Sequence, residues 1–137
     1  MKPNQKSENN PGYLLLLRGT DWHKSLSLDE VKATMDAWGK WFEELCEKDL
    51  FLNGSPLESQ GHLISTKSGQ LTDGPFAESK EMIGGYIHLK VDNLEEAIEI
   101  GRQCPALVHG LQVEVRPVRT TCPVQQMLDD MRDAALV

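Results

Sequence analysis

The groups in this 137-residue chain that could do chemistry are few and scattered, and His88 is the most suggestive of them. It sits in the run Gly85–Val91, where Ile87, Leu89 and Val91 alternate with Tyr86, His88 and Lys90, so a strand here would turn its polar residues away from its apolar ones. Imidazole titrates near neutral pH, so a histidine in that place can serve as general base or acid. Its other use is structural, as a hydrogen-bonding group at a subunit interface. Arg116 and Glu114 share the polar parity of a second strand, Leu111–Val118, and a guanidinium suits an anionic or carbonyl-bearing ligand. Asp73 opens Asp73-Gly74-Pro75, residue types that make a turn, and is either the turn former or a pocket carboxylate. Glu78 and Lys80 follow in a stretch of alternating charge. They would touch a ligand if that loop folds over the sheet, and form an exposed turn if it does not. The candidates are therefore His88 and Asp73 for catalysis, and Tyr86, His88, Arg116, Glu78 and Lys80 for ligand binding.

Other chemistries lack their residues. The four histidines stand far apart, with no His-x-x-x-His and no paired cysteines, so no metal is expected. Neither phosphate-cradling glycine pattern occurs, nor a Gly-x-Ser-x-Gly elbow, and no cofactor is expected. Cys46, Cys104 and Cys122 are an odd, scattered set, which points to reduced thiols and a cytoplasmic location. Cys46 and Cys104 fall in helical segments and read as small buried hydrophobes. A net charge of −7 argues against nucleic acid and anionic membrane as partners, since both are polyanions. No apolar run approaches the roughly 18 residues of a membrane span, and Met1–Asn10 lacks the apolar stretch of a secretory signal.

The elements that must position these groups are legible from periodicity. Tyr13–Leu17 is apolar on both faces, the pattern of a strand covered on both sides. Ser27-Leu28-Asp29-Glu30 is a capping box, with Leu26 and Val31 at the staple positions. Val31, Met35, Trp38, Phe42 and Leu45 then recur at helical spacing and predict a helix over 28–48, its aromatic stripe, widened by Trp41, belonging to the core. Leu50–Asn53 is a short strand ending at Gly54. A hairpin follows, His62–Lys67 and Gln70–Thr72 joined at Ser68-Gly69. Gly84-Gly85 permits a bend or a close backbone approach. A second helix opens at Asp92-Asn93 and stops before Pro105, and Leu111–Val118 is the last strand.

This order predicts one α+β domain over 13–118, a ferredoxin-like βαββαβ unit with an inserted hairpin and an antiparallel four-stranded sheet carrying two helices on one face. Residues 1–12 form a disordered arm, and 119–137 a C-terminal extension whose Val124-Met127-Leu128-Met131 run either docks on a partner or frays. Two helices cover only one face of such a sheet. The other, semi-apolar face calls for a second copy, giving a homodimer with a pocket between the sheets; loops or the extension are the alternative cover. Two functions from different classes remain: binding or transformation of a small polar or anionic metabolite in that pocket, and a non-catalytic interaction or regulatory module acting through its surface and the extension.

The run Asp73-Gly74-Pro75-Phe76-Ala77-Glu78-Ser79-Lys80-Glu81, followed by Gly84-Gly85-Tyr86 and later by Val113-Glu114-Val115-Arg116-Pro117-Val118, resembles the DGPF-domain group of the YCII-related family. The resemblance spans about residues 13–118. It implies a dimeric α/β barrel and a bacterial setting, without a defined reaction. More distant YCII-like proteins carry a histidine–aspartate pair as a proposed active site. This sequence departs from that pattern, having no histidine within 28–48 and His23 just before it.

Overall fold

The computed structural model describes residues 10–65, 70–73 and 82–136. Its elements run β1 (Tyr13–Arg18), α1 (Leu28–Glu47), β2 (Phe51–Pro56), β3 (His62–Ser65), β4 (Gln70–Asp73), β5 (Ile83–Leu89), α2 (Leu94–Arg102), a 3-10 turn (Leu107–His109), β6 (Gln112–Pro117) and α3 (Pro123–Ala135). Four strands pair antiparallel in the order β2-β5-β1-β6, so the architecture is α+β and compatible with a ferredoxin-like fold. β3 and β4 pair with each other as a separate antiparallel ribbon, and the Ser68-Gly69 turn lies outside the described residues.

Ser27 caps α1 as its sequence requires. Its hydroxyl accepts the Glu30 N–H at 3.1 Å while the Glu30 carboxylate accepts the Ser27 N–H at 3.0 Å. At the far end Asp49 takes the left-handed conformation (φ 56°), and the Leu50 N–H returns to the Leu45 carbonyl at 2.8 Å, a Schellman closure that turns the chain into β2. Asn93 caps α2 by accepting the Glu96 N–H at 2.8 Å.

Leu15 and Leu17 of β1, Ile87 and Leu89 of β5, Trp41 and Leu45 of α1, and Ala97 and Ile100 of α2 form the core between the helices and one sheet face. Leu14 and Leu16 point the other way and are half-buried, so β1 is sealed on one side only. The α1 stripe also differs from the expected one. Thr34, Trp41 and Leu45 are its buried residues, whereas Trp38 and Phe42 are half-buried and Met35 is 50% exposed. A stripe this wide leaves the rotation of the helix undetermined, and packing has turned Trp41 inward and the rest to its flank. Cys46, next to Leu45 and so rotated about 100° from it, is exposed rather than buried. Cys104 is buried, but lies beyond the end of α2.

Asn10 and Gly12, expected in a disordered arm, are pinned. The Asn10 amide donates to the Val91 carbonyl at 3.2 Å and its oxygen accepts the Gly12 N–H at 3.0 Å. β2 carries a bulge between Phe51 and Asn53 and extends past Gly54 to Pro56. α3 buries none of its residues, and Val124, Met127, Leu128 and Met131 are each more than half exposed. Among the described residues, no helix is long and apolar enough to cross a membrane.

Candidate functional site

The antiparallel register places the expected polar set on the sheet face opposite the helices. Asn53, His88, Leu14 and Arg116 form one cross-strand row, and Ser55, Tyr86, Leu16 and Glu114 the next. Because β1 runs between β5 and β6, His88 and Arg116 are brought to the two sides of Leu14 rather than into contact.

The groups of this face answer one another. The His88 Nε2 lies 2.6 Å from the Pro11 carbonyl, which can only accept, so Nε2 carries the hydrogen. Nδ1 is left as acceptor for the Asn53 amide, 3.4 Å away. Both ring nitrogens are thus engaged within the chain, one of them holding the segment before β1. Arg18 closes on Glu114 at 2.7 Å, and Arg116 lies 3.7 Å from the same carboxylate. A histidine so engaged is a latch before it is a base.

The other side of the sheet holds a recess of about 340 Å³ between α1, β2 and β5. Trp22, Trp38, Phe42 and Phe51 supply its aromatic walls, and the half-exposed Met35 stands beside them. Trp22 lies nearly parallel to Trp38 (10°, centroids 6.4 Å apart), with the His109 ring stacked on it as well (15°, 6.0 Å). His109 is itself anchored, its Nε2–H donating to the Thr34 hydroxyl at 3.1 Å, while that hydroxyl donates to the Glu30 carbonyl at 2.9 Å. Phe42 and Phe51 meet edge to face at 87°. The Trp41 indole N–H, buried against Trp38 and Phe42, has no acceptor among the described residues.

Glycines let the backbone close up beside the recess. A Cβ on Gly54 would lie 2.7 Å from the Tyr86 carbonyl oxygen, and one on Gly84 would lie 2.9 Å from that of Gly19. Gly19, Gly54 and Gly84 all border the recess, which is the close approach expected of Gly84 and not foreseen for Gly54. Tyr86, placed by sequence in an intersheet pocket, borders this one.

Asp73 ends β4, paired in register with His62, while Glu78 and Lys80 lie outside the described residues. The exposed Cys122 thiol is held below its ordinary pKa by the N–H groups of Gln125 and Val124 at the start of α3, whereas burial pushes Cys104 up. Among the described residues no three histidine, cysteine, aspartate or glutamate side chains gather as metal ligands would.

Sequence reasoning missed the recess because it assigned Trp38 and Phe42 to the core. Residues 13–120 match the model of the YCII-related domain family. No curated protein matches the chain.

Proposed function

The chain belongs to the YCII-related family, and on that footing we propose that it is a homodimeric small-molecule-binding protein whose ligand occupies the aromatic recess beside α1. The observation that carries this reading is the recess itself. Small-molecule sites are concave and mostly apolar, about 300–1,000 Å³ in volume, and at about 340 Å³ this one falls in that range. The bare sheet face takes the other role. Leu14, Leu16 and Tyr86 are half-buried in a single copy, and a second copy laid on them would finish the burial. Arg116, mostly exposed, would then face the seam, where it is the natural contact for a small polar or anionic metabolite.

A thermal-shift screen against the wild type, Met35→Trp and Arg116→Ala separates the two places, because a ligand stabilises only the protein that binds it. Stabilisation lost in Met35→Trp and kept in Arg116→Ala supports the recess. The reverse pattern moves the ligand to the seam between sheets, with Tyr86, His88 and Arg116 around it.

A second reading rests on α3. A 13-residue helix is marginal alone in water, and its apolar stripe is exposed. In that reading the protein is an interaction or regulatory module, and removal of residues 119–137 abolishes its assembly with a partner or with itself. Unchanged sedimentation and partner binding after the truncation would remove α3 from the account.

A further inference from the structure

We infer that the recess selects a neutral, flat ring system of one or two fused rings, in preference to an anion or a puckered or flexible molecule. The inference rests on the recess being the ligand site and adds what kind of molecule that site accepts. Charge comes first. No charged side chain lines the recess among its described residues, so a carboxylate packed against those residues would give up water without gaining a partner from them. The net charge of −7 adds a field that opposes anions further.

Shape comes second. Trp22 is held by stacking contacts with Trp38 at 10° and with His109 at 15°. The Thr34 hydroxyl fixes the His109 ring from behind. Phe51 stands edge-on to Phe42, so the flat rings that border the recess differ in orientation. Aromatic quadrupoles favour offset-stacked and edge-to-face partners, and a flat ring can satisfy both arrangements at once. A puckered ring of similar size matches neither.

Size comes third. At about 340 Å³ the recess is near the lower end for small-molecule sites, room enough to hold one or two fused rings but not to enclose a dinucleotide.

The test uses the full chain labelled with ¹³C-methyl methionine. The sequence has five methionines, so the Met35 methyl can be assigned by Met35→Leu while the other four report on the fold. The probes are indole, indole-3-carboxylate and cyclohexanol. Indole should move the Met35 signal saturably, with a Kd of about 1 mM or tighter. The carboxylate and cyclohexanol should each bind at least about tenfold more weakly, a difference of about 1.4 kcal/mol. Met35→Lys, which sets an ammonium beside the rings, should bring indole-3-carboxylate up to or beyond indole.

If the carboxylate or cyclohexanol matches indole on the wild type, the ring selectivity is wrong and the recess still stands as the site. If Met35→Lys leaves the order unchanged, the absence of charge is not what sets the preference, and the inference fails in that part. If none of the probes moves Met35, the recess is not a ligand site and the inference falls with it.

Discussion

The two faces of this sheet are built from the same strands and put to opposite uses. On the bare face polar groups are paired off: His88 with Pro11 and Asn53, and Arg18 with Glu114. On the helix side, beside α1, aromatic rings meet one another without filling the space between them. The first face has the residue types expected of an active site and spends them on holding the chain together. The second has the residue types expected of a core and leaves a recess. Residue type alone therefore does not reveal which face has unfilled room and which has its groups paired; that depends on whether each group has already found its partner.

The comparison breaks most sharply at Gly12, through which the pinned N-terminal segment reaches the bare face. It is buried at φ 83°, and a Cβ there would strike the Leu89 carbonyl oxygen. Gly12→Ala should destabilise the fold by more than about 2 kcal/mol in urea unfolding. A loss below half of that would mean the segment is not locked to the sheet.

Leu16→Arg, next in size, sets a charge among the half-buried residues offered to a second copy. The dissociation constant of the proposed dimer should rise about a hundredfold by sedimentation, about 2.7 kcal/mol, while ring-probe binding per chain is kept. Loss of both together would merge the two faces into one site.

His88→Ala should cost about 1–2 kcal/mol, since it leaves the Pro11 carbonyl without its donor. Probe binding in the recess should not change. A stable His88→Ala protein with no ligand response would return the chemistry to the bare face.

The smallest effect is at Glu30, at the start of the helix that walls the recess. Its carboxyl is held below the ordinary glutamate range by the Ser27 N–H, then by the Ser27 hydroxyl. The folded-state pKa is the lower one, so this stabilisation is full above the unfolded pKa and fades as pH falls through the folded value. The gap in melting temperature between wild type and Glu30→Ala should therefore be present at neutral pH and close in acid. A gap that widened in acid would contradict the capping account.

Much of the fold could be read from residues alone, for reasons that are local. Ser27 and Glu30 cap a helix wherever the chain carries them, and the alternation from Tyr86 to Leu89 assigns each side chain a face without reference to any other strand. The candidate site was less legible. Parity placed His88, Tyr86 and Arg116 on one face, and the register bears out that placement. The ferredoxin-like strand order keeps the strands of His88 and Arg116 apart, as observed. Neither order nor parity can say that the carbonyl of Pro11 takes the His88 hydrogen across a sequence separation of 77 residues. The rotation of α1 was equally hidden, because five apolar positions and Trp41 allow several buried faces.

By itself the sequence determined where α1 and α2 start and stop, the inward and outward residues of β5 and β6, and the family. All of these depend on interactions within a few residues, or on a pattern that recurs along the chain. Only the tertiary structure decided which polar groups were already spoken for and which rings stood apart. Pairing and unfilled volume are properties of distances between segments, and those distances arise only when the elements pack.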